Sequence, residues 1–156
     1  MKKIFVFVLM ILFVFSISSS DTKDTDKASV LKKIADLKVT KYSKKENYSK
    51  LISEMYLFED GVTGGLAITE VESYKMIQIM VIVVKDKDNF KIESVRMVNE
   101  EDLAEKERKE TKLALAKMDG MILDEVVDAA TAATKYTKRI YLKSKVVAGN
   151  IIEALK

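Results

Sequence analysis

The chain has 156 residues and contains neither cysteine nor histidine. Without cysteine there is no disulfide, no thiol nucleophile and no attachment point for the diacyl anchor of exported lipoproteins. Without histidine there is no imidazole base, and the two absences together remove the common zinc and haem ligand sets. Hydrolase chemistry would have to rest on carboxylates, lysine, tyrosine or hydroxyls, and redox chemistry would need an organic cofactor. Internal repeats and low-complexity tracts are missing as well. Gly61-Val62-Thr63-Gly64-Gly65 has neither the dinucleotide-fingerprint nor the Walker spacing and reads as a hairpin turn. Asp86, Asp88 and Asn89 lack the glycine and the terminal glutamate of a calcium loop, so they read as a solvated turn. The methionines, including Met76, Met80, Met118 and Met121, read as core filling.

What is present begins with Lys2 and Lys3, an apolar run from Ile4 to Ile17, and the small polar cluster Ser18, Ser19, Ser20. Positive, then apolar, then small is the order of a secretory signal. The run of about 14 residues is shorter than the roughly 20 of a membrane-crossing helix, which favours a cleaved signal over residues 1–20 and a cut before Asp21. An uncleaved signal anchor is the alternative, and both readings make the protein extracytoplasmic, either periplasmic or secreted. Two of the 27 basic residues belong to the leader, leaving 25 against 24 acidic ones, so no electrostatic argument for a nucleic-acid partner survives. The remaining length suits one core.

Asp21 to Lys27 is polar and charged and reads as a linker, followed by a short helix over Ala28 to Leu37 on Val30, Leu31, Ile34 and Leu37. Residues 39–156 then form the domain. Val39 to Asn47 and Leu51 to Phe58 are ambiguous in type. Leu66 to Val71, Tyr74 to Val84 and Phe90 to Val98 read as strands. The middle one, MIQIMVIVV, lacks alternation and suits a central strand covered on both faces. Glu100 to Lys117 reads as a solvated helix with Leu103, Leu113, Leu115 and Met118 available for packing. Ile140, Val147, Ile151 and Leu155 stripe a C-terminal amphipathic helix over Thr137 to Leu155, with Lys138, Arg139, Lys143 and Lys145 toward water. The expected fold is α+β, a small antiparallel or mixed sheet packed against helices.

Between the last two helices runs Val127-Asp128-Ala129-Ala130-Thr131-Ala132-Ala133-Thr134-Lys135-Tyr136-Thr137. Its small and hydroxylated residues form no apolar stripe. They permit close approach to the backbone, and a helix beginning just beyond them would offer free N–H groups to a phosphate. The plainer reading is a strand-to-helix junction in which Thr134 or Thr137 is the N-cap.

This segment resembles the carboxy-terminal signature of FMN-binding domains related to the small flavin subunits of sodium-pumping quinone reductases and ferredoxin-oxidising redox pumps. The family pattern is Asp, two variable residues, Ser or Thr, Gly or Ala, Ala, Thr, and then further hydroxyls and an amphipathic helix. Asp128, Thr131, Ala133 and Thr134 match it, Thr137 falls on a later hydroxyl position, and the usual glycine is Ala132. The likeness extends loosely over Gly61 to Lys156, although Asn99-Glu100-Glu101 replaces the family's Glu-Thr-Pro-Gly loop. The resemblance implies an extracytoplasmic flavoprotein, an electron carrier or reductase subunit without a catalytic base, in which a flavin transferase joins FMN through its phosphate to Thr134. It further implies Asp128 as a recognition residue for the transferase and Thr131 and Thr137 as bonding the phosphate. Lys135 and Tyr136 flank the attachment point. The implied partners are the transferase and a membrane redox complex or reductase. Two alternatives stay open: a degenerate relative that binds flavin non-covalently, and a structural envelope protein.

Overall fold

The computed structural model describes residues 24–100 and 103–156, and for residues 24–29 the backbone alone. The leader and its cleavage site lie outside the described residues, as does Glu101 of the loop after the last strand. No helix among the described residues is long and apolar enough to cross a membrane.

The elements run α1 (Asp24–Asp36), β1 (Tyr42–Lys45), β2 (Glu54–Phe58), β3 (Gly64–Glu72), β4 (Met76–Asp86), β5 (Asn89–Met97), α2 (Glu105–Ala116), α3 (Leu123–Thr131) and α4 (Lys135–Ala154). Each strand pairs antiparallel with the next, giving one five-stranded meander in chain order. The fold is therefore α+β, with an antiparallel sheet and a C-terminal helix. The helix expected from Ala28 begins at Asp24, within the stretch expected to be a linker.

Both faces of the sheet are covered, and β4 shows why its sequence does not alternate. Ile77, Ile79, Val81 and Val83 point into the larger core with α2, α3 and α4, while Met80, Ile82 and Val84 point into a second core closed by Val30 and Ile34 of α1. A strand buried on both sides has no polar face to display. Its neighbours divide likewise, Met55 and Leu57 facing the larger core and Tyr56 and Phe58 the smaller. In β5 the apolar positions Ile92 and Val95 have odd spacing yet both enter the larger core. The register explains this: Val83 opposes Ile92 and Ile82 opposes Ser94, so Glu93 is the extra residue of a β-bulge.

The sheet edges are managed differently. β1 presents Lys44 and Lys45 at one edge. At the other, the turn after α2 runs beside β5, with Gly120 N–H donating to Ile92 O at 2.7 Å and Ile92 N–H donating to Met121 O at 2.8 Å. Arg96 of β5 forms a two-pronged pair with Asp119 in that turn, at 3.0 and 2.7 Å. The hydrogen bond to Asp119 raises the Arg96 pKa further and keeps the guanidinium charged.

On α4, Ile140, Val147 and Ile151 are buried as the stripe requires, each worth about 1.5–3 kcal/mol of burial. Two expectations change. Leu113 of α2 is 66 % exposed, and the buried face there is Thr111, Ala114 and Leu115. Met76 is 56 % exposed instead of core filling: it opens β4 and lines a shallow apolar groove with Leu142 and Val146 of α4.

Asp60, in the β2–β3 turn, accepts from the N–H groups of Thr40 and Lys41 at 2.8 and 2.9 Å and from the Thr40 hydroxyl. The Thr40 hydroxyl and then the Lys41 N–H hold its carboxyl below the usual range. A depressed native pKa contributes stability above the unfolded-state pKa, and that contribution is lost as pH falls through the folded value. Asp60→Asn is accordingly expected to narrow the stability difference between about pH 7 and about pH 3 in urea unfolding. A wild-type pH dependence in that variant would show that the carboxylate contributes nothing through this linkage.

Candidate functional site

Helix α3 ends at Thr131, Ala132 caps it, and after Ala133 the chain turns into α4 with Thr134 as N-cap. Thr134 is extended at φ −62° and ψ 162°, the conformation an N-cap takes, and its Oγ1 accepts from the Thr137 N–H at 3.5 Å. The two hydroxyl oxygens, Thr134 Oγ1 and Thr137 Oγ1, lie 3.0 Å apart. The N-cap reading of the sequence thus holds at Thr134, but the element before the junction is helix α3 and not the expected strand. The helix it opens is 20 residues long, with the N–H groups of Lys135 and Tyr136 in its first turn lacking intrahelical acceptors. That end of a long helix carries partial positive charge.

Two clefts meet at this point. The larger, of about 460 Å³, is lined by Lys117, Met121, Ala129, Ala132, Ala133, Thr134, Thr137 and Tyr141. The smaller, of about 350 Å³, lies between the β3–β4 turn, α2 and α4 and includes Ser73, Tyr74, Glu110, Thr111, Ala114 and Tyr136. Lys117, Thr134, Thr137 and Tyr141 border both. Volumes of this order suit a small organic ligand. The Lys117 ammonium and the α4 N-terminus give the shared border a positive character, while Ala114, Ile140 and the Tyr141 ring make the smaller cleft's wall largely apolar. Tyr141 is 3 % exposed, and burial raises its phenol pKa, so it stays neutral.

At the mouth of the smaller cleft the Tyr74 and Tyr136 rings stand 4.5 Å apart at 30°, and the Tyr74 hydroxyl donates to a Glu110 carboxylate oxygen. That hydrogen bond raises the Tyr74 pKa. Arg139, one turn into α4, reaches Glu72 at 2.6 Å and ties the helix to the end of β3. Ser73 and Thr111 belong to the same cleft, each only 2 % exposed, and their hydroxyl oxygens are buried without a hydrogen-bond partner. Leaving a buried hydroxyl unpaired costs about 1–3 kcal/mol, and the buried Ser144 hydroxyl of α4 stands in the same position.

The residues singled out from the sequence divide into two groups. Ala133, Thr134, Tyr136 and Thr137 line the clefts. Asp128, Thr131 and Lys135 are exposed and line neither. The Thr131 hydroxyl donates to Val127 O at 3.0 Å, a bond back along its own helix. Sequence reasoning did not find Ser73, Tyr74, Glu110, Thr111, Lys117 or Tyr141. Ser73 and Thr111 come from separate elements and carry no motif; only the packing of α2 and α4 against the sheet brings them to Thr134.

The polar groups a ligand in these clefts could reach are therefore two hydroxyls at a helix N-terminus and one lysine, beside an aromatic pair. Comparison with known proteins finds no similar one: no family model, no curated protein and no solved structure matches the chain.

Proposed function

We propose that the protein is an extracytoplasmic electron carrier that bears FMN, joined through its phosphate to Thr134. The observation that carries this reading is the position of Thr134: its hydroxyl is solvent-accessible at the N-cap of α4, on the border of two clefts, within the segment that matches the signature. Accessibility matters twice, because a transferase must reach the oxygen and the attached group must afterwards find room beside it.

The chain's own residues divide the work. Thr134 supplies the oxygen of the phosphoester. Condensing free FMN with a hydroxyl would have to expel water, so the transferase needs an anhydride of FMN such as a flavin dinucleotide. The Thr134 oxygen then bonds to the FMN phosphorus, its proton leaves, and a nucleoside monophosphate departs. Thr137 and the first N–H groups of α4 hold the phosphate oxygens, and Lys117 offsets their charge. Asp128, exposed one helical turn before Thr131, is free to be recognised by the transferase. When bound, flavin supplies one- and two-electron redox chemistry that no side chain of this composition provides. Covalent attachment keeps the group on a protein working outside the cytoplasm, where a dissociated cofactor is diluted away.

The intact mass of the chain from its native host tests the proposal. The expected result is the processed chain plus one FMN phosphoester; an unmodified mass from cells that possess a flavin transferase overturns it.

A further inference from the structure

We propose that the outward face of α4, together with Met76, docks the protein on an anionic phospholipid surface. The inference goes beyond the flavin reading and does not depend on it.

The buried stripe of α4, with Ile140, Val147 and Ile151, meets the sheet, whereas Leu142 and Val146, 42 % and 47 % exposed, fall on the side turned away from it. Residues three and four apart are neighbours on a helix surface, so Leu142 is flanked by Lys138, Arg139 and Lys145, and Val146 by Lys143. No acidic residue occurs from Lys135 to Ile152, although the chain beyond its leader is nearly balanced in charge. Charge of one sign is thus gathered on one helix. Among the described residues, Arg139 is the only one of these cations with an ion-pair partner, Glu72 at 2.6 Å. Met76, at the start of β4, lines the same groove as Leu142 and Val146 and extends the apolar patch onto the end of the sheet. Glu70 and Glu72 line its β3 side; Arg139 neutralises Glu72, so Glu70 is offset by Lys143 within the groove. Lys138 and Lys145 add positive charge beside it. Aliphatic side chains ringed by lysines fit a bilayer interface better than a protein surface. Lysine is depleted at protein interfaces, while its long stem lies along apolar surface and holds the ammonium at the level of lipid phosphates. α4 is neither long nor apolar enough to cross the bilayer, so attachment is at the surface, reversible and weakened by salt.

Because the chain has no cysteine, single positions can be labelled. Leu142→Cys, Val146→Cys and, in the turn at the far end of β4 from Met76, Asp88→Cys would each be made in the full exported protein and carry a polarity-sensitive fluorophore. With vesicles of phosphatidylcholine and phosphatidylglycerol at about 3:1, the labels at 142 and 146 are expected to shift to the blue while the label at 88 stays unchanged. This position-specific readout holds whether or not the leader tethers the chain to the vesicle. The shift should vanish on phosphatidylcholine alone and in about 0.5 M sodium chloride. Lys143→Gln and Lys145→Gln should each raise the amount of anionic vesicle needed for half the shift about 5-fold, the equivalent of about 1 kcal/mol per basic residue at a lipid surface, with the melting temperature unchanged. Unshifted labels, an equal shift on neutral vesicles, or a shift at 88 as large as at 142 overturns the proposal. A shift that appears without lipid and grows with protein concentration overturns it as well and makes the face a contact between two copies.

Discussion

Replacing Thr134 with alanine is expected to abolish covalent flavin completely: co-expressed with a flavin transferase, the variant gives no yellow fluorescent band on a denaturing gel, while wild type does. The loss is total because the acceptor is one oxygen atom, and Thr137 Oγ1, although 3.0 Å away, lies inside the first turn of α4 and outside the Thr position of the signature. The substitution also removes the N-cap. Loss of such a cap costs about 1 kcal/mol, and the 3.5 Å separation from Thr137 N puts the cost here toward the lower end of that range. Melting should fall by a few degrees at most, so a folded, colourless protein is the anticipated outcome. Thr134→Ser retains both hydroxyl and cap and should be flavinylated. Undiminished fluorescence in Thr134→Ala would end the assignment, and a peptide mass map would then show which residue carries the group.

Gly64→Ala is expected to produce the largest loss of stability of any single methyl addition in the sheet. A Cβ at this position would stand 2.3 Å from Val83 O and 3.1 Å from Val84 Cα, both backbone atoms of the paired strand β4. Backbone cannot rotate away as a side-chain end can, so relief requires β3 and β4 to separate where the sheet is buried on both faces. A cost of about 3 kcal/mol is anticipated, comparable with a severe core substitution. Gly149 provides the internal control. It lies within α4 with nothing within 4 Å of an added Cβ, so Gly149→Ala should raise stability by about 0.5–1 kcal/mol. Parallel denaturant titrations of the two variants would measure both, and a neutral Gly64→Ala would show that the strand pair is far more compliant than its geometry implies.

Legibility in the sequence varied with the range of the interactions. The three β-rich runs became β3, β4 and β5 because a buried strand needs only its own apolar residues and flanking turn signals to declare itself. Leu51 to Phe58 was ambiguous alone, and Glu54–Phe58 became a strand through pairing with β1 and β3. The alanine- and threonine-rich stretch before Thr134 hid α3, since Val126 and Ala130 are its only fully buried positions and small residues make a faint stripe. Its first turn is nonetheless marked by Glu125, whose carboxylate accepts from the Ile122 N–H at 3.0 Å. Leu113 misled because its hydrophobicity says nothing about which side of α2 meets the sheet.

By itself the sequence determined the α+β class, the C-terminal amphipathic helix, two candidate hydroxyls for its cap and the exclusion of thiol and imidazole chemistry, all of which follow from local propensity or from composition. Only the tertiary structure decided what stands beside Thr134. The two clefts, the stacked tyrosines and the unpartnered hydroxyls of Ser73 and Thr111 arise where α2, α4 and the β3–β4 turn converge. Groups so far apart along the chain meet through burial of apolar surface on other faces of the same elements, and that burial leaves no mark at the residues it brings together.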